Sequence, residues 1–414
     1  MRRFAMSSTT DHVGRGHGGT YAANVNATPG RKGLAANRSG TDYDRKRLYM
    51  DQLNRIAASV EYLADGWIKQ AIEHQNSLTK PPGSLGVLED IACRVAAIQK
   101  SLSPVINRKR IVVFAADHGV TEEGVSPYPQ QVTAQMVANF LRGGAAINAI
   151  ARAVDAEVVV VNIGVKHPIP VIDECHSSVH FIDRPIRRGT RNFVKEPALT
   201  EEEVLSAIAV GIDIANESKA AGVDLIGLGE MGIGNTTTSA AITAALTGLS
   251  SSSVTGRGTG ADDRILDRKR SVVEKGLRLH GQGLLPTLSI LRAFGGLEVA
   301  GLVGVCLGAA ASRTAILLDG FIATAGAALA ARLCPPCAHY YLAGHLSAEP
   351  SHAILLQMLK LEPILNLRMR LGEGTGAALG MKIVEAAVRA FNEMATFDSA
   401  GVNAKLAAGE KAVH

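Results

Sequence analysis

Short, continuous apolar runs alternate with longer amphipathic stretches along most of this chain. Residues 110–116 (RIVVFAA), 156–163 (AEVVVVNI) and 223–228 read as strands buried on both faces. Residues 179–182, 315–318 and 339–342 read as shorter strands. Between these runs, apolar positions recur at helical spacing. The spacing predicts helices over residues 50–72, 88–102, about 129–153, 200–221, 262–280 and 376–394. Strands that lack alternation and are separated by helices indicate a parallel sheet covered on both faces. The expected fold class is therefore α/β: a doubly wound, mostly parallel sheet flanked by helices. Ligands of such sheets bind beyond the carboxyl ends of the strands.

Two glycine-flanked glutamates stand where predicted strands or apolar stretches give way to helices. Glu230 lies in Gly227-Leu228-Gly229-Glu230-Met231-Gly232-Ile233-Gly234-Asn235-Thr236, and Glu373 in Leu371-Gly372-Glu373-Gly374-Thr375-Gly376. Glycine lets backbone approach a ligand closely, and a helix N-terminus favours an anion at the same place. A carboxylate inside such a loop repels a phosphate, so it reads as a base or charge stabiliser beside the anion. Together the two loops point to chemistry on a phosphorylated small molecule.

Composition narrows the class. The chain has 414 residues, 47% hydrophobic and 20% charged, with 43 glycines. Its net charge of +5 misleads, because residues 1–49 hold nine Lys/Arg against three Asp. The rest is close to neutral, which gives no charge excess for nucleic acid or an anionic membrane. No run qualifies as a membrane span. Five scattered cysteines without a secretory signal suggest a reducing compartment, and a cytoplasmic location is expected. Residues 1–49 read as a disordered extension. Either they precede a start at Met50 or form a tail without function, or they are an Arg-rich transit peptide.

Several motifs are weak. Gly227-x-Gly229-x-x-Gly232 matches a dinucleotide fingerprint, but Glu230 would face the pyrophosphate and no acid follows about 20 residues on. Cys334-Pro335-Pro336-Cys337 has no second pair for zinc and reads as a surface turn. His345, Glu349 and His352 fit no helical metal motif. Asp117-His118 could be a catalytic dyad or a structural loop. There is no nucleophile elbow and no Walker loop.

Taken in order, the motifs resemble the nicotinate-nucleotide:dimethylbenzimidazole phosphoribosyltransferase family over about residues 51–400. The resemblance runs through Lys80-Pro81-Pro82-Gly83-Ser84-Leu85-Gly86, Asp117-His118-Gly119, Gly143-Gly144-Ala145, the Glu230 loop, Gly258-Thr259-Gly260, Leu318-Asp319-Gly320-Phe321, the segment 345–352 and the Glu373 loop. It implies a second, smaller helical domain built from residues 51–107 and about 376–400, beside a large α/β catalytic domain of residues 108–375. It implies transfer of a phosphoribosyl group from nicotinate mononucleotide to dimethylbenzimidazole, a homodimer, and no metal or cofactor. By resemblance Glu373 is the catalytic base and Glu230 a second active-site carboxylate. Gly232, Asn235, Thr236, Lys269, Ser347 and Gly374 are phosphate and ribose candidates. Ser126, Tyr128, Gln135, Met136 and Leu371 are candidates for the benzimidazole pocket. Two other classes compete: a nucleotide-dependent oxidoreductase using residues 227–232, and a binding module that senses benzimidazoles or nucleotides.

Overall fold

The structure, a computed structural model, describes residues 42–172, 174–281 and 285–403. Seven strands form one sheet: β1 (Lys109–Ala116), β2 (Ala156–Gly164), β3 (Val179–Asp183), β4 (Leu225–Met231), β5 (Ala315–Leu318), β6 (Tyr341–His345) and β7 (Pro363–Leu365). Their order is β3-β2-β1-β4-β5-β6-β7, and every neighbouring pair is parallel. The chain builds outward from β1 to β3, then crosses back and builds the other way from β4. The switch point thus lies between β1 and β4, where a doubly wound sheet opens a crevice.

The sheet is covered on both faces. Helix Leu297–Ala311 packs on one face and crosses the helix Glu201–Ala220. The crossing is close because Gly211 lies against the backbone of Gly301 and Gly304. Helices Ala146–Ala153 and Thr375–Glu393 also pack against strands. A side chain at Gly227 would collide with Ile111 and with Met381 of the helix Thr375–Glu393. Among the described residues no helix is long and apolar enough to cross a membrane.

Four element boundaries differ from the sequence reading. Residues 42–49, expected to be disordered, begin the helix Asp42–Ser59, while residues 1–41 lie outside the described residues. Tyr49 and Met50 of that helix pack against the core, and Lys46 pairs with Glu201. The helix expected over 50–72 is interrupted, since Val60 and Leu63 turn inward before a new helix starts at Asp65. The helix expected over 129–153 is two, Gln131–Leu141 and Ala146–Ala153. Gly143 sits at φ +76°, and Asn148 Oδ1 accepts the Ala145 N–H at 3.0 Å to start the second helix. Finally, β4 runs through Glu230 to Met231, so Glu230 ends a strand rather than sitting in a loop. The glycines kept it from reading as strand, but they are there for close packing.

The cysteine pair also differs from expectation. Cys334 and Cys337 are buried, not part of a surface turn. The Cys337 thiol donates to the Cys306 carbonyl at 3.2 Å and receives the Tyr341 hydroxyl at 3.1 Å.

Candidate active site

A cleft with a volume of about 100 Å³ opens at the carboxyl ends of β4, β5 and β6. Its walls include Ser126, Glu230, the segment 231–236, Arg257, Lys269, His345, Ser347, Glu349 and the segment 370–372. These come from six separate stretches of sequence, brought together because parallel strands deliver their following loops to one edge.

The two glutamates are neighbours, Glu230 lining the cleft and Glu373 lying behind its wall rather than among the lining residues. Glu230 is 5% exposed, and Asn235 Nδ2 hydrogen bonds to its Oε2. Its Oε1 packs directly over Gly372, the residue before Glu373. Burial, then the charges of Asp319 and Glu298, push its carboxyl well above the usual carboxylate range. Glu373, also 5% exposed, accepts the Ile147 N–H at 3.2 Å. Burial pushes it up to about 7, with the Ile147 hydrogen bond opposing and the Asp319 charge assisting. Its φ is +64°, a left-handed conformation that costs a residue with a Cβ on the order of 1 kcal/mol. Buried carboxylates this close cannot all ionise, so protons stay in the site at neutral pH. A carboxyl raised to about 7 can exchange a proton at neutral pH.

Another end of the cleft lies at the helix Asn235–Thr247. Gly234 precedes it at φ +100°, and no side chain caps its first turn. Lys269 is 1% exposed and reaches this turn: its Nζ donates to Thr236 Oγ1 at 3.0 Å and to the Gly256 carbonyl at 2.8 Å. Burial lowers its ammonium to about 8, with Glu349 opposing. A cation, a Thr hydroxyl and an uncapped helix N-terminus together suit a phosphate. Glu349 Oε1 accepts the Gly258 N–H at 2.8 Å, and Arg370 donates to the Gly258 carbonyl at 3.1 Å. These contacts hold the segment 256–260 along the cleft.

The second glycine-loop helix, Thr375–Glu393, is different. The Gly374 N–H is already directed at Asp319 Oδ2, at 3.2 Å, and Gly374 does not line the cleft. The phosphate contact expected of Gly374 has no counterpart in the cleft lining. Gly232, Asn235, Thr236, Lys269 and Ser347 do line the cleft. Of the base-pocket candidates, Ser126 and Leu371 line it, whereas Tyr128, Gln135 and Met136 do not. Tyr128 is 48% exposed, and the helix Gln131–Leu141 turns Thr133, Ala134 and Val137 inward, leaving Gln135 on its outer side.

The remaining motifs have structural partners. His118 bridges Glu298 (2.7 Å) and Thr238 (2.9 Å) in the core behind the cleft. Asp117 accepts from Thr133 at 2.7 Å and from the Lys166 N–H at 2.8 Å. His352 takes the Ser347 N–H at 2.9 Å, His345 faces Asp319, and Glu349 holds Gly258, so these three do not converge. Among the described residues no group of three or more His, Cys, Asp or Glu is arranged to hold a metal ion. The sequence reading gave no role to Asp319, Glu349, Arg257 or Arg370. For Asp319 a signal existed: it is an acid directly after a buried strand, on the edge where ligands bind.

Comparison with known proteins agrees with this geometry. A family profile described as "Phosphoribosyltransferase" matches residues 60–402. The nicotinate-nucleotide–dimethylbenzimidazole phosphoribosyltransferase of Geobacter sp. (strain M21) is 48% identical over 353 residues, covering 85% of this chain and 99% of that protein. The protein of the same name from Geobacter sulfurreducens is 50% identical over 333 residues, covering 80% and 93%. The crystal structure of the nicotinate-nucleotide–dimethylbenzimidazole phosphoribosyltransferase from Thermus thermophilus superposes with a TM-score of 0.76 at 44% identity, covering 82% of this chain and 99% of that one. With its parallel sheet, its paired glutamates and this depth of similarity, the chain belongs to the nicotinate-nucleotide–dimethylbenzimidazole phosphoribosyltransferase family.

Proposed function

We propose that this protein transfers the 5-phosphoribosyl group of nicotinate mononucleotide to dimethylbenzimidazole, giving alpha-ribazole 5'-phosphate and nicotinate for assembly of the cobalamin nucleotide loop. The observation that carries the reading is Glu373, a buried carboxylate raised to about 7 by burial and held by the Ile147 N–H, next to Glu230 on the cleft wall. As the C–N bond to nicotinate breaks, its electron pair returns to the pyridine nitrogen. A benzimidazole nitrogen bonds to the ribose C1', and the ring N–H proton passes to Glu373. A base near pH 7 suits that transfer.

Glu230 supports the base rather than standing as a fixed charge, since its surroundings favour the protonated form. The positive charge developing on the ribose draws it toward ionisation. Lys269, Thr236, Asn235 and Gly232 hold the phosphate, and Ser347 faces the ribose. Ser126 and Leu371 flank the benzimidazole, with Tyr128, Gln135 and Met136 joining only if the mouth closes. The reaction as written balances without a metal or cofactor.

The helices at the two ends form the small domain of this reading. His74 bonds to the Phe391 carbonyl at 2.9 Å, and Leu78 bridges Thr396. The protein works as a cytoplasmic homodimer on small molecules. Nicotinate release from the mononucleotide, with and without dimethylbenzimidazole, tests the whole proposal. Acceptor-dependent release with a ribosylated product is expected. Release without acceptor would make the protein a hydrolase, and ligand binding without turnover would make it a sensor.

A further inference from the structure

Asp319 directly follows β5 and is 1% exposed. Its Oδ1 accepts the N–H groups of Gly376 at 2.7 Å and Ala377 at 3.1 Å, and its Oδ2 accepts that of Gly374 at 3.2 Å. One carboxylate thus caps the helix Thr375–Glu393 and grips the backbone on the C-terminal side of Glu373. Glu373 holds a left-handed conformation, which persists only where its surroundings over-determine it. Three contacts do so here. Asp319 fixes the following amide, Gly229 packs against the Glu373 carbonyl, and Ile147 N–H holds the carboxylate.

Resting on the reading of Glu373 as the base, we infer that Asp319 is its positioning residue, holding the turn that aims the Glu373 carboxylate at the acceptor nitrogen. The anchoring is geometric: without three accepted N–H groups, the turn at Gly372–Gly374 has glycine freedom on both sides of the base. A charge effect follows from what surrounds Glu373. Asp319 faces it from β5, Glu230 from β4 and His345 from β6 beside Asp319, with Glu298 behind Glu230. Arg370 is turned away to Gly258. A second negative charge in this buried group makes ionisation of Glu373 harder, so losing it makes Glu373 a weaker base that ionises at lower pH.

The test is the pH dependence of kcat/KM for nicotinate release with dimethylbenzimidazole, using the full chain and the variants Asp319→Asn and Asp319→Glu. Asn keeps the shape, but its NH2 cannot accept an N–H and its charge is gone. For Asp319→Asn, kcat is expected to fall about 100-fold as the base loses its aim. The KM for nicotinate mononucleotide should change little, and the ascending limb should move to lower pH. Asp319→Glu retains the charge in a displaced position. It should lower kcat while leaving the limb where the wild type has it. An unmoved limb in Asp319→Asn, even with reduced kcat, overturns the proposal, as does wild-type kcat in Asp319→Glu. A wild-type protein that releases no nicotinate overturns the reaction and this role together. Wild-type turnover with an unmoved limb overturns the role of Asp319 alone.

Discussion

The backbone carbonyl of Glu373 rests against the α-carbon of Gly229. A Cβ added at Gly229 would lie 2.7 Å from that oxygen, closer than real Cβ contacts come, and a tight 3.0 Å from the Gly374 nitrogen. The two glycine motifs are therefore one packed unit, with β4 as the floor under the turn that carries Glu373. Gly229→Ala should push that turn outward. The expected outcome is a loss of about 100-fold in kcat from misplacement of the base. The melting temperature, measured in parallel, should fall by only a few degrees. Wild-type turnover in this variant would show that the floor does not set the position of Glu373.

Glu373→Gln removes the proton acceptor while keeping size and the Ile147 contact. Turnover with dimethylbenzimidazole should fall about 10²–10⁴-fold. The loss should shrink with acceptors that need no deprotonation. An unchanged rate would sink the assignment of the base.

The same substitution has a stability signature. Glu373 is raised from 4.5 to about 7 in the folded state. The folded protein therefore holds this proton more tightly than the unfolded chain does. The associated stability is complete below pH 4.5 and is lost as pH rises through about 7. Above that range the wild type carries a buried charge that Glu373→Gln lacks. The variant should be the more stable form at pH 8, by on the order of 3 kcal/mol at most, and should converge with wild type near pH 4. Urea unfolding at the two pH values measures this. A variant less stable than wild type at pH 8 would contradict it.

Lys269 is lowered to about 8, so its charge is lost in the free protein as pH rises through that value. Affinity for nicotinate mononucleotide should weaken over the same interval, since the ligand is anionic. Lys269→Met should raise the dissociation constant about 10–100-fold and flatten the pH dependence. Calorimetric titration at pH 7 and pH 9 distinguishes this from a lysine whose only role is to hold Thr236 and Gly256.

The thiols offer a simple check on the packing. Of the five cysteines only Cys175 is exposed, while Cys93, Cys306, Cys334 and Cys337 are buried. Burial raises the Cys93 thiol to about 11 and the Cys306 thiol to about 12, which suppresses the reactive thiolate. A disulfide reagent at pH 7.5 should modify one thiol quickly in the native protein and all five in denaturant. Rapid reaction of Cys334 or Cys337 would mean that their segment opens.

The sequence by itself determined the elements and the edge on which chemistry would sit. Runs such as residues 110–116 and 156–163 read as strands buried on both faces, because their central stretches, residues 111–116 and 158–161, hold no polar side chain. The motif order carried the family, and the glycines around Glu230 and Glu373 announced close approach. What approached what was not legible. Gly229 meets Glu373, and Oε1 of Glu230 meets Gly372, only because β4 lies beside β1 and the helix Thr375–Glu393 packs back across the sheet. The two glycine-loop helices look alike in sequence, yet Asp319 caps one while no side chain caps the other. Local patterns record each residue's own conformation and burial. Which carboxylate takes which amide depends on strand order and helix crossing, and these arise from contacts between segments far apart in the chain.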